Sequence, residues 1–160
     1  MGVGKSSACR ELNKRLHRSV WLDGDWCWMM NPFIVNEENK NMVVDNITHL
    51  IRNFLINSSF DYVLFSWVIH TEDIFDLLLE RLTDLPFRVV KVTLICTEAA
   101  LKDRLLNDMK HNMRDEGTVQ TSLNRIPLYQ SMNTKKIDTT NLSVSTTVDK
   151  IIEIIKNQQM

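Results

Sequence analysis

Lys5 and Ser6, preceded by Gly2-Val3-Gly4 and followed by Ser7, are the residues with the plainest chemical capability in this sequence. A lysine and a hydroxyl placed directly after glycines form the closing part of the phosphate-binding pattern G-x-x-x-x-G-K-[ST]. There, backbone N–H groups cradle phosphates, the lysine reaches the outer ones and the hydroxyl binds Mg²⁺. Counted back from Gly4, the pattern's first glycine falls two residues before Met1, so half of the signature is present. A bare G-K-S tripeptide carries little weight, and its plain alternative is a glycine turn before an ordinary helix. Here Ala8, Leu12 and Leu16 recur every fourth residue after Lys5, as on one face of a helix. A glycine loop therefore runs straight into a helix, and the free amides of a helix N-terminus are a ready anion site.

The second constellation is "WLDGDW". Val20, Trp21 and Leu22 form a short apolar run stopped by Asp23-Gly24-Asp25, a strand that ends in an acidic turn. Alone, this is a solvated turn. Beside a phosphate loop it sits where ligand sites of open α/β sheets collect, at a strand end. A phosphotransferase needs a carboxylate to orient or deprotonate the attacking hydroxyl, help worth about 10²–10⁴ in rate. Asp25 takes that base role. Asp23 suits Mg²⁺ held through water, because magnesium keeps several waters and few direct carboxylates.

These residues need elements to position them. Val43, Ile47, Leu50, Ile51 and Phe54 share one stripe and predict a long amphipathic helix over about 41–56. "DYVLFSWVIH" and "RVVKVTLIC" have continuous apolar runs, as buried strands do. Between them Thr71 can cap a helix with Glu72 and Asp73 in its first turn, ended by Pro86. Thr97 and Glu98 start a further helix carrying Leu101, Leu105 and Leu106. The polar stretch "KHNMRDEGTVQ" reads as exposed and mobile. Another helix, "TKKIDTTN" as a short strand and loop, and a helix over about 146–156 complete the order. Strands alternate with helices, which implies an α/β fold with a parallel sheet covered on both faces. Residues 1–160 form one domain, with no internal repeat and no Pro/Gly/Ser-rich linker.

Composition narrows the function classes. Nineteen Lys+Arg against twenty Asp+Glu give a net charge of -1, so no global field draws the chain to nucleic acid. No apolar run is long enough to span a bilayer, and no signal peptide opens the chain. The three cysteines, Cys9, Cys27 and Cys96, lie far apart without zinc spacing, which fits a reduced cytoplasmic setting.

"GVGKSS" and "LDGD" together carry a family resemblance. The chain resembles the small P-loop kinases that include adenylylsulfate kinases, chloramphenicol phosphotransferase and the zeta-toxin group. "VWLDGDWCWMMNPF" is similar to bacterial P-loop nucleotide kinases or ATPases. The resemblance implies a three-layer sandwich with a five-stranded parallel sheet in the order 2-3-1-4-5. It also implies ATP with Mg²⁺ as phosphate donor, and an arginine-bearing lid within residues 107–125. Carried over by position, Gly2, Val3, Gly4, Lys5, Ser6 and Ser7 match the phosphate loop, Asp25 the acidic residue facing the acceptor, and Arg104 and Arg114 the lid arginines. Asp138, Thr139, Thr140 and Asn141 follow the last strand, where related kinases contact adenine; a plain turn explains them as well. In many relatives a strand carries a terminal aspartate for the metal, but "YVLFSWVIH" offers Ser66 and His70 instead. Metal duty then rests on Ser6 and the aspartates after "WL".

The expected activity is transfer of phosphate from ATP to a small-molecule or nucleotide acceptor, with the oligomeric state open. The alternative from another class is a nucleotide-binding regulator without transfer, suggested by the missing carboxylate. A third reading is an inactive fragment of such a kinase, because the first, central strand of the order 2-3-1-4-5 is absent. On that reading a gap separates the strands containing Val63 to Val68 and Val89 to Ile95, with Gly2 to Ser6 at its edge. Trp26, Trp28, Met29, Met30 and Phe33 either stack a flat acceptor or pack beneath the following helix. Cys27 is a buried structural thiol or a reactive one beside the site, and His70 is a packed histidine rather than a catalytic one.

Overall fold

A computed structural model of the chain describes residues 2–110 and 116–158. Helix α1 (Lys5–Arg15) opens the fold and leads into β1 (Ser19–Asp23), which runs into a 3₁₀ turn at Gly24–Trp28. Then come α2 (Glu37–Leu55), β2 (Tyr62–Ser66), α3 (Glu72–Glu80), β3 (Val92–Ile95) and α4 (Glu98–Lys110). After these follow α5 (Glu116–Asn124), α6 (Ile126–Ser131), β4 (Lys135–Asp138) and α7 (Val144–Asn157). The α/β alternation read from the sequence is the architecture observed.

The strands are arranged as two parallel pairs. β1 pairs with β2 from Ser19↔Tyr62 to Asp23↔Ser66, and β3 pairs with β4 from Val92↔Lys135 to Ile95↔Asp138. Among the described residues no ladder joins β2 to β3. The separation expected between these two strands is therefore present among the described residues.

Side chains rather than backbone bonds hold the halves together. Leu64 of β2, Leu94 of β3 and Ile137 of β4 pack in one core with Ala8 and Leu12 of α1 and with Val148 and Ile151 of α7. α1 and α7 thus lie across both strand pairs on one face, and burial of each such side chain contributes about 1.5–3 kcal/mol. A second core lies on the other face, where Val43, Ile47 and Ile51 of α2 and Leu78 of α3 surround Leu22 and Ile69. Met132 reaches this core from just after α6.

Several element boundaries differ from the sequence reading, each for a local reason. α2 starts at Glu37 rather than near Asn41, because the Asn36 side chain accepts from the Asn39 N–H at 2.8 Å and caps it. α7 starts at Val144 because Ser143 Oγ accepts from the Thr146 N–H at 3.0 Å. Thr71 sits at the N-cap of α3 but its side chain makes no cap bond. That helix ends at Glu80, well before Pro86. β2 stops at Ser66 and β3 covers only Val92–Ile95, shorter than the apolar runs that contain them. Near the end of the polar stretch read as exposed, Val119 of α5 instead packs on the cluster of Leu101 and Leu105, joined by Leu123 just beyond the stretch, where Ser122 is buried.

Candidate functional site

The phosphate-loop residues adopt the backbone their glycines permit. Gly2 has φ 78° and Gly4 φ 92°, left-handed values that side chains resist. Gly4 is the N-cap of α1, yet no side chain caps this helix and no acidic residue stands in its first turn. The opening of α1 thus carries no acidic residue of the helix itself, and the positive end of its dipole lies there. A Cβ added at Gly4 would meet nothing within 4 Å, so the space beside Gly4 is open.

Asp23 brings the second constellation to this loop. The Ser6 hydroxyl donates to Asp23 Oδ2 at 2.8 Å, while Asp23 Oδ1 accepts from the Asp25 N–H at 3.2 Å. One buried carboxylate therefore positions both the loop hydroxyl and the turn that carries the exposed Asp25. Gly24 between the two aspartates is required by contact: a Cβ there would lie 2.5 Å from Trp67 Cγ. The chain can bend past that ring only without a side chain.

Ser66, which pairs with Asp23 in register, stands where a carboxylate was missed in the sequence. Its Oγ accepts from Trp21 Nε1 at 3.0 Å. The neighbouring Cys9 thiol hydrogen-bonds Ser66, and burial pushes it up from the ordinary 9.0 to about 11. This thiol is protonated and inert at neutral pH.

Against the other side of the loop lies a cavity of about 170 Å³, lined by Gly2, Gly4 and Ser7 on one wall and by Arg104, Thr139 and Val144 on the other. Arg104 Nη1 donates to Thr139 Oγ1 at 3.1 Å, and Nη2 donates to the Thr139 and Thr140 carbonyls at 2.6 and 3.3 Å.

Residues 1–124 match a family model described as AAA domain. The chain belongs to that family. No curated protein matches it. Among solved structures, the tunicamycin resistance protein of Deinococcus radiodurans is similar with TM-score 0.66 at 18% identity, over 94% of this chain and 90% of that one. A gluconokinase from Sinorhizobium meliloti is similar with TM-score 0.70 at 16% identity, over 99% and 88%. The AAA domain described above thus has the fold of small P-loop kinases.

Within this AAA domain the structure brings Gly2, Val3, Gly4, Lys5, Ser6, Ser7, Asp23 and Asp25 to one end of β1. Arg104 joins the cavity beside the loop, with its guanidinium tied to the segment after β4. Thr140 does not line that cavity. Its hydroxyl donates to Asp138 Oδ1 at 2.6 Å and accepts from the Thr97 N–H at 2.9 Å, joining the ends of β3 and β4. These Thr140 bonds hold the Asp138 carboxyl below its usual range. Thr139, one residue earlier and among the four residues singled out after the last strand, is the one that lines the cavity; its Oγ1 also donates to the Ile95 carbonyl at 3.1 Å. Arg114 lies outside the described residues. His70 is half-buried with no hydrogen bond at Nδ1, and Cys9, Cys27 and Cys96 are free thiols. No described helix is long and apolar enough to cross a membrane.

Proposed function

We propose that this protein is an ATP- and Mg²⁺-dependent phosphotransferase that phosphorylates a hydroxyl of a small-molecule acceptor. One observation carries the reading: the Ser6–Asp23 hydrogen bond, 2.8 Å long, which couples the hydroxyl of the phosphate loop to the acidic turn. The residues present fit both expected groups. The left-handed Gly4, the uncapped start of α1 and the open space beside Gly4 suit a polyanionic triphosphate. Ser6 Oγ and the Asp23 carboxylate form a hard-oxygen pair suited to Mg²⁺ and its waters.

When bound, Mg²⁺ neutralises charge on the β- and γ-phosphates. Lys5 and the loop amides hold those phosphates and stabilise the negative charge that builds during transfer. Asp25 accepts the acceptor's hydroxyl proton. The hydroxyl oxygen forms a bond to the γ-phosphorus, the bond from that phosphorus to the β–γ bridging oxygen breaks, and its electron pair leaves with ADP. Asp23, on β1, takes the metal-orienting role that Ser66 on β2 has no carboxylate to perform. The cavity beside Gly2, Arg104 and Thr139 receives the nucleoside part of ATP.

The test is release and transfer of ³²P from γ-labelled ATP across a panel of hydroxylated acceptors, with and without Mg²⁺. Transfer that requires Mg²⁺ and disappears in Lys5→Ala supports the reading. ATP binding with no transfer to any acceptor would make the protein a nucleotide-binding regulator instead. Full activity in Lys5→Ala would remove the phosphate loop from the chemistry.

A further inference from the structure

Resting on the phosphotransferase reading, we infer the class of its acceptor: a neutral alcohol carried on a flat, apolar scaffold, bound by residues 26–35. The segment after Asp25 divides its large side chains. Cys27, Trp28 and Met30 pack against the core around α2. Trp26 is 52% exposed, Met29 86%, Phe33 65%, Ile34 47% and Val35 56%. Single exposed apolar side chains are ordinary, but a run of five beside a candidate base marks a binding surface.

The surface is held in shape. The Trp26 ring lies 5.0 Å from that of Trp21, and the Phe33 ring 5.7 Å from that of Trp28. Asn39 Nδ2 donates to the Ile34 carbonyl at 2.9 Å, which ties the end of the segment to the first turn of α2. Rings already fixed lose little entropy on meeting a ligand.

Charge decides what that ligand is. Residues 19–36 contain Asp23 and Asp25 and no lysine or arginine. α2 then begins with Glu37 and Glu38, and its Lys40 is paired with Glu37 at 2.7 Å. Among the described residues, the cation in ring contact with this group is Arg10, whose guanidinium lies 6.0 Å over Trp21. Among the described residues, a phosphate or carboxylate acceptor on this segment would meet carboxylates and lose its hydration without a matching set of cations from the segment itself. An apolar scaffold instead gains by covering Trp26, Met29 and Phe33, and leaves its hydroxyl beside Asp25 to attack the γ-phosphorus.

The experiment is ligand-observed NMR on the full chain with biphenyl-4-methanol as the neutral probe and gluconate and AMP as anionic ones. Biphenyl-4-methanol should bind saturably, neither anion should displace it, and Met29→Asp or Phe33→Ser should weaken it by about tenfold or more. Both variants change exposed side chains, and far-UV circular dichroism checks that they fold. Displacement by AMP or gluconate, or unchanged binding in both variants, overturns the inference. So does light scattering that finds a dimer which Met29→Asp dissociates, because the patch would then be covered by a second copy. Alcohol binding is read without turnover: retained binding without ³²P transfer defeats the phosphotransferase reading and leaves a site for neutral apolar ligands.

Discussion

On the Arg104 side of the phosphate loop, polar groups find partners within the protein; on the Trp26 side, large apolar side chains stand in solvent. The first wall is made of hydrogen bonds between distant segments, Arg104 to Thr139 and Thr139 to Ile95. The second wall is one continuous segment whose inward side chains anchor it and whose outward ones remain uncovered. The difference follows from what each side has to hold. A polyanion is held by donors fixed before it arrives, whereas an apolar scaffold is held by area. Between the walls stands Asp23, bonded to Ser6 on one hand and to the Asp25 amide on the other.

The largest expected effect breaks this arrangement at its centre. Asp25→Asn should lower kcat by about 10²–10⁴ with little change in the KM for ATP, because its role is on the acceptor side. Asp23→Asn should instead raise the Mg²⁺ concentration needed for half-maximal rate, since it removes half of the Ser6–Asp23 oxygen pair. Steady-state kinetics over an Mg²⁺ series separate the two. If Asp25→Asn weakened ATP and Mg²⁺ dependence as much as turnover, the two aspartates would not divide the work as assigned.

A smaller effect sharpens the contrast between walls. Arg104→Lys removes the forked contact with the Thr139 and Thr140 carbonyls and should raise the KM for ATP about tenfold, near 1.4 kcal/mol, at unchanged kcat. Trp26→Ala should leave the KM for ATP untouched and raise that of the acceptor. Equal effects of both variants on ATP would mean that the walls are not separate in function.

Much of the site was legible because its parts are local. The Gly4-Lys5-Ser6 run and the Asp23-Gly24-Asp25 turn declare themselves by residue type, and alternation of strand and helix places them at one sheet end. Pairings across long separations were not legible: Thr139 Oγ1 meets Arg104 from 35 residues away, and nothing in either segment's periodicity signals it. The division of the aromatic segment was hidden for another reason. A 3₁₀ turn points successive residues in different directions, so Trp26 and Trp28, equally apolar, end on opposite sides. Trp67, just past the end of β2, turns its ring toward Gly24.

That contact gives the next prediction. Gly24→Ala forces a Cβ to within 2.5 Å of the Trp67 ring, and overpacking of this kind costs about 1–3 kcal/mol. Thermal denaturation should show a loss of roughly 2–4 °C per kcal/mol for a chain of this size. Gly4→Ala meets no atom and is strained only by its φ of 92°. It should cost less stability, while damaging ATP binding more. The reverse order of stabilities would mean that Trp67 yields easily and that Gly24 is not what shapes the acidic turn.

The smallest effect concerns the thiol beneath the site. Burial raises the Cys9 pKa from 9.0 to about 11, so the folded chain keeps a proton that the unfolded chain releases above pH 9. Below pH 9 both states are protonated and the group adds no pH dependence. Between pH 9 and about 11 the unfolded state binds fewer protons, so stability falls as pH rises. Cys9→Ala should flatten part of that fall, a difference on the order of 1 kcal/mol between urea denaturations at pH 8 and pH 10.5. Iodoacetamide at pH 8 should correspondingly modify Cys9 far more slowly in the folded chain than in urea. Rapid alkylation of Cys9 in the folded state would place the thiol in contact with solvent. Ser66 and Trp21 would then be part of the open site, and the polar floor under Asp23 would have to be redrawn.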